Sequence, residues 1–191
     1  MLHQRTETGA DEFCEAAKLT VGTIAYHICK KEDITPPNIT TLYNQLLSYN
    51  DDYADEVLLN PEYYSHESWS EEAAWIAANF QNIPTMIDVA GGWTHQTTPA
   101  ELDALKAQPN MDIRWLRISE FISWCLEQQI EFPASYIASI LSWCRTNNVK
   151  LYWCEWKIDY ALGTAWEVPT FDLIKDLIVG YEDIVYVAFK T

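Results

Sequence analysis

The apolar positions follow two different spacings along the chain. From Phe13 to Tyr49 they recur at helical spacing, first as Phe13, Ala17, Val21, Ile24 and Ile28, then as Ile39, Leu42, Leu46 and Tyr49. Thr8 and Asp11 form a loose capping box before the first set, and Lys30-Lys31 sit where a helix C-terminus favours cations. Thr35-Pro36 is a helix start, with threonine as cap and proline at the first helical position. These features predict an N-terminal helical hairpin within residues 1–60, with Asn60-Pro61 as its stop. A further stripe, Trp69, Ala73, Ile76 and Phe80, follows a second capping box of Ser68 with Glu71.

From Asn82 onward the apolar runs are short and rich in Val, Ile, Trp and Tyr. Ile83–Ala90, Met111–Ile118, Val149–Trp156 and Ile184–Phe189 read as strands. Helices alternate with them. One opens on the capping box Thr98-Pro99-Ala100-Glu101, two occupy 119–129 and 134–146, and one spans 171–179 with Gly180 as its left-handed stop. The pattern predicts an α/β domain over residues 61–191, with a four-stranded, mainly parallel sheet flanked by helices. Ile184–Phe189 is almost wholly apolar and reads as a central strand buried on both faces. The phrases Ile122-Ser123-Trp124-Cys125 and Leu141-Ser142-Trp143-Cys144 read as two helices packing small Ser and Cys against a shared layer.

Charge changes this picture of an ordinary domain. The formal net charge is -16, from 12 Lys and Arg against 28 Asp and Glu. Glu32 to Leu105 contains thirteen carboxylates and no lysine or arginine. Asp51, Asp52, Asp55, Glu56, Glu62, Glu67, Glu71 and Glu72 concentrate the field, with Tyr53, Tyr63, Tyr64 and Trp69 interleaved. On a helix Asp51 would face Asp55 and Asp52 would face Glu56, like-charged pairs that cost stability unless something uses them. Such a balance disfavours direct binding of nucleic acid or of an anionic membrane surface. No run approaches the ~20 apolar residues of a membrane span, and the polar start carries no secretory signal, so a cytoplasmic location is expected. The five cysteines include no CxxC pair and read as buried free thiols.

Candidate chemistry is sparse. Beyond the carboxyl ends of the predicted strands lie Asp88, Gly91, Gly92 and His95, then Ser119 and Glu120, then Glu155 and Asp159. Asp88 and His95 have the residue types of an acid–base pair, and equally those of a strand face and a polar loop. Gly91-Gly92 is neither a Walker loop nor GxGxxG. No metal-ligand spacing exists, so no cofactor, metal or catalytic residue is expected.

Gly22, Ile34-Thr35, and Ile39, Leu42 and Leu46 carry one resemblance. Residues 21–58 resemble the enterobacterial biofilm and acid-resistance regulator (AriR-like) family. That resemblance implies a small helical, dimerising regulator and says nothing of residues 61–191.

Three function classes follow. The first is an acidic protein-binding inhibitor that masks a basic, nucleic-acid-handling surface, as anti-CRISPR, anti-restriction and nuclease-immunity proteins do. Its contact residues would be Asp51, Asp52, Asp55, Glu56, Glu62, Tyr63, Tyr64, Glu67, Trp69, Glu71 and Glu72. The second is a dimeric regulatory protein, with a homodimer as its form. The third is a small α/β enzyme using Asp88 and His95. An acidic face is also a common solubility device.

Overall fold

A computed structural model describes residues 2–5, 13–20, 23–30, 38–50, 54–63, 68–91, 96–155 and 167–189. Its strands are β1 (Leu2–Arg5), β2 (Phe13–Thr20), β3 (Thr23–Lys30), β4 (Glu56–Tyr63), β5 (Pro84–Gly91), β6 (Asp112–Ser119), β7 (Lys150–Glu155) and β8 (Val185–Phe189). Its helices are α1 (Ile39–Tyr49), α2 (Trp69–Asn79), α3 (Pro99–Lys106), α4 (Phe121–Glu127), α5 (Ala134–Asn147) and α6 (Glu167–Leu177). Strand order along the sheet is the order of the chain, β1 to β8. β3 to β8 form a six-stranded all-parallel array, and β1 and β2 continue it antiparallel.

This architecture corrects the expected N-terminal helical hairpin and four-stranded sheet. The segment read as the first helix is strand instead: β2 pairs with β3 through Cys14↔Ile28 and Ala16↔Tyr26. The positions that recur at helical spacing there also fit an alternating pattern. Thr20, Val21, Thr23, Ile24 and Ile28 are β-branched, which restricts χ1 in a helix and suits a pleated surface. Glu56 to Tyr63 is likewise strand rather than the end of a helix. Asn60-Pro61 therefore lies inside β4 instead of stopping the segment. The β4–β5 register is carried by Leu59↔Thr85. One residue on, buried Asn60 donates its Nδ2 to the Met86 carbonyl at 3.0 Å, supplying the donor that Pro61 lacks. The second expected helix survives as α1. Its cap is Asn38, whose side chain accepts from the Thr41 amide at 3.0 Å, while Thr35 and Pro36 lie outside the described residues.

The chain divides into two compact units, Met1–Ile87 with Asp103–Arg114, and Asp88–Leu102 with Trp115–Thr191. In the first, Ile39, Leu42 and Leu46 of α1 are buried, as are Val57, Leu58 and Leu59 of β4, Ile76 of α2 and Phe80 at its C-terminal cap. Consecutive buried residues on β4 mean that both of its faces are covered. Tyr49, expected on the buried face of α1, is 69% exposed. Ser68 stands at the α2 cap position, but its side chain bonds Ser70 rather than the helix backbone, so the expected capping box does not form.

Within the second unit α5, β7 and β8 lie close to the ranges expected for them. Thr98 and Glu101 form the full capping box: the Thr98 amide donates to Glu101 Oε2 at 2.8 Å, and the Glu101 amide donates to Thr98 Oγ1 at 3.3 Å. Leu151 to Glu155 of β7 are buried without interruption. Trp115 and Trp153 are fully enclosed, and Ile137, Ile140, Leu141 and Cys144 of α5 are also buried. Gly180 stands at φ +83, the left-handed conformation expected of a helix stop.

One strand takes a different place from the expected one. β8 is last in the sheet order, so Ile184–Phe189 is not central. Val185 is buried, whereas Tyr186, Val187 and Ala188 are half-buried. An apolar run shows only that a strand leaves water, not how many neighbours it has. Among the described residues, no helix is long and apolar enough to cross a membrane.

Leu151→Asp places an unpaired charge in a strand covered on both faces and should cost about 3 kcal/mol or more, against about 1 kcal/mol for Val187→Asp. Urea melts of the two variants check this; equal losses would mean that β8 is enclosed as deeply as β7.

Candidate functional site

The acidic stretch is spread over several environments. Asp51, Asp52, Tyr64 and Glu67 lie outside the described residues, as does Tyr53. Tyr63 ends β4. Asp55 and Glu71 are exposed to solvent. Trp69 and Glu72, both expected at a contact surface, are buried in the first unit. Glu56 opens β4 and is held by Arg114 of β6, whose Nη1 donates to Glu56 Oε1 at 3.1 Å. The same guanidinium grips Asp112 through Nε at 3.0 Å and Nη2 at 2.8 Å. Hydrogen bonds to Asp112 and Glu56 raise the Arg114 pKa further, so this cation does not titrate. Next to it Tyr43 donates its hydroxyl to the Val57 carbonyl at 3.3 Å.

The carboxyl ends of parallel strands are where such folds place ligand chemistry. In the first unit, His27 of β3 meets Glu62 of β4, with Nε2 2.5 Å from Oε2 and each side chain 16% exposed. Register explains the meeting: Cys29 stands opposite Glu62 and His27 opposite Asn60, so both side chains rise near the same strand ends. The pair is ionic when the imidazole is protonated. Two donors do not by themselves define a metal centre.

In the second unit, Asp88 of β5 meets Arg117 of β6 at 3.4 Å, and Arg117 also donates to Ser119 Oγ at 3.2 Å. His95, weighed with Asp88 as an acid–base pair, lies outside the described residues with Gly92, and Gly91 ends β5. Val89 and Thr97 on either side are tied to α5. The Tyr136 hydroxyl lies 2.6 Å from the Val89 carbonyl and 3.0 Å from that of Thr97, and the Thr97 amide donates to Val89 at 2.9 Å. Burial pushes the Tyr136 phenol well above its ordinary value, so it stays a neutral donor.

Among the described residues Glu155 is the most enclosed acidic group, with none of its surface exposed. It ends β7 and reaches the first turn of α4. The amides of Ile122 and Ser123 donate to it at 3.1 and 3.2 Å, and the Ser123 hydroxyl at 2.8 Å. The Trp153 indole adds a fourth bond at 2.8 Å. Burial pushes the carboxyl above its ordinary value of 4.5, while these four donors pull the other way. Glu120, just before the helix, takes φ +54, and its amide donates to the Cys154 carbonyl at 2.8 Å. Glu155 was legible as a strand-end acid; its role as the remote cap of a helix was not.

Cys125, Cys144 and Cys154 are buried free thiols, and burial pushes Cys144 up to about 12. Sequence reasoning missed Arg114, Arg117 and His27 as partners of the acids. Arg114 and Arg117 did leave a signal, as two cations set among Ile113, Trp115, Leu116 and Ile118 in the strand Asp112–Ser119. Comparison with protein-family models, curated proteins and solved structures finds no match.

Glu155→Ala strands two backbone amides and an indole N–H in the interior, and should lose about 3–5 kcal/mol in chemical denaturation. The pH dependence has a definite sign. A carboxyl whose folded pKa lies above its unfolded value contributes stability that is complete below about 4.5 and is lost as pH rises through the folded value. Wild type should therefore lose stability relative to Glu155→Gln as pH rises from 4 toward neutrality; a gap that widens in favour of wild type would contradict this.

Proposed function

We propose that this protein binds and covers a basic surface on a protein that handles nucleic acid, and so inhibits it. The supporting observation is the charge excess. If every one of the 12 Lys and Arg neutralised one acid, 28 less 12 would still leave sixteen carboxylates without a base. The pairs of Arg114 with Glu56 and Asp112, and of Arg117 with Asp88, reduce the field locally without changing that balance. A surface of this sign speeds encounter with a cationic partner and repels nucleic acid itself. Anti-CRISPR, anti-restriction and nuclease-immunity proteins are the settings in which such capture inhibits.

A second reading, a small α/β enzyme, draws support from the polar groups at the strand carboxyl ends, His27 with Glu62 in one unit and Asp88, Arg117 and Ser119 in the other. The dimeric-regulator reading is a separate proposal, answered by the mass in solution at equilibrium.

The capture reading is tested with the partner isolated from the native host. The informative substitutions are Asp55→Lys, Glu71→Lys and Asp103→Lys, since all three residues are exposed. Glu56 and Glu72 are unsuitable, because one is held by Arg114 and the other is buried. The triple variant should bind an identified basic partner about tenfold or more weakly with its fold intact, and wild-type association should slow as salt rises. Equal binding by the variant together with indifference to salt would leave the acids as a solvated face. His95→Ala should keep the biological activity; its loss with folding unchanged would promote the enzyme reading.

A further inference from the structure

Residues in register across a parallel sheet share a face, so β6, β7 and β8 can be read across in rows. On one face Leu116 stands beside Leu151, and Ile118 beside Trp153. Glu155 follows on that face and takes the first turn of α4. Tyr136 of α5 packs on Phe121 of α4, with ring centres 6.1 Å apart, and α6 packs on α5. Right-handed crossovers between strands in chain order put all three helices on this one face. The side chains beneath them, Leu116, Ile118, Leu151 and Trp153, are apolar and fully buried.

The opposite face of the same strands carries polar groups. Toward the amino ends Trp115 stands beside Lys150, whose ammonium lies 4.9 Å from the Trp115 ring centre and 5.9 Å from that of Tyr186. The next row is Arg117, Tyr152 and Tyr186. Arg117 is held in one orientation, with Nη1 3.4 Å from Asp88 Oδ2 and Nη2 3.2 Å from Ser119 Oγ. The Arg117 and Asp88 side chains are 16% and 8% exposed, so they are sheltered yet still touched by solvent. Burial pushes the Tyr152 phenol well above its ordinary value, so it remains a neutral hydroxyl. The row at the carboxyl ends is Ser119, Cys154 and Ala188, small side chains that leave room above the Arg117 row. A sheltered ion pair stabilises less than apolar packing of the same volume, and the helix-covered face of these strands shows that apolar packing is available to them. Convergent polar groups at the carboxyl ends of parallel strands have a use when a ligand meets them.

The geometry points to a ligand site on this face, built by Asp88, Arg117, Ser119, Tyr152 and Tyr186, for a neutral, hydroxyl-rich molecule of the sugar class. A carboxylate accepts, a guanidinium donates, and two hydroxyls do both, which is the mixture that sugar hydroxyls require. Asp88 offsets the charge of Arg117, and the Lys150 charge is turned to the rings a row away, so little is left for an ion to pair with. The chain's net charge of -16 further disfavours phosphates and carboxylates as ligands. Tyr152 and Tyr186 stand side by side and offer apolar ring surface to the C–H face of a sugar. This site uses none of the exposed acids invoked for capture of a basic partner, and stands or falls apart from that reading.

The test is a titration of the full chain, labelled with nitrogen-15, with glucose, N-acetylglucosamine and chitotriose, and with acetate and phosphate as anionic counterparts. A sugar should bind with a millimolar or tighter Kd and shift the amide signals of Arg117, Ser119 and Tyr152. Tyr152→Phe and Ser119→Ala each remove one hydroxyl without uncovering a charge; each should weaken binding about tenfold while the thermal melt stays that of wild type. Asp88→Asn removes the charge that offsets Arg117 and should turn the preference toward acetate and phosphate; if that variant does not fold, the two hydroxyl variants still decide. Tighter binding of acetate or phosphate than of any of the sugars by wild type would overturn the assignment. So would sugar binding that shifts other amides and ignores both hydroxyl variants, or the absence of any shift with all five probes.

Discussion

The second unit depends on a carboxylate that water does not reach. Glu155 lies at the end of a strand buried along its whole inner length, and burial alone would make its charge costly. It is tolerated because four donors converge on it, two of them amides that the first turn of α4 would otherwise leave without partners. The carboxylate therefore satisfies the start of a helix, and the helix satisfies the carboxylate. Neither can be removed without orphaning the other, which couples the end of β7 to the start of α4. Trp153, two residues earlier, joins the same network through its indole and packs the rest of its ring into the core.

In the first unit the equivalent problem is one of sign. A long stretch without bases folds because cations arrive from elsewhere in the chain. Arg114 is more than fifty positions from Glu56, yet the sheet brings the two to 3.1 Å. It grips Asp112 as well, so one guanidinium offsets two carboxylates in a fixed fork geometry. His27 meets Glu62 across adjacent strands, a pair that is ionic when the imidazole is protonated. What remains exposed is a smaller set of acids than the linear count suggests, and these, Asp55 and Glu71 among them, set how the protein meets other molecules.

Within each unit the parallel strands separate two kinds of polar contact. Polar side chains such as His27, Glu62, Asp88, Arg117 and Ser119 stand toward strand carboxyl ends, while the Arg114 fork lies toward the amino ends and ties structure together. That division is the one expected of parallel sheets, where amino ends stabilise and carboxyl ends are available for ligands.

Local signals determined much of the second half of the chain. The runs near 83–90, 111–118, 149–156 and 184–189 are strands because short β-branched and aromatic segments suit a pleated sheet, and the box at Thr98 and Glu101 and the stop at Gly180 are complete within a few residues. Their chemistry needs no distant partner, so it could be read directly. The first half was decided by tertiary structure. Phe13 to Lys30 satisfies both a helical and an alternating pattern, and pairing of β2 with β3 and of β3 with β4 selected the strand. Pro61 reads as a breaker until the Asn60 amide supplies its missing donor from the neighbouring residue. β8 has the composition of a central strand and the place of a terminal one, because apolarity records loss of water and not the number of neighbours. The same limit applies to charge: sequence counts the acids, but only the fold brings Arg114, Arg117 and His27 to three of them, since Coulomb interactions depend on distance in space and not along the chain.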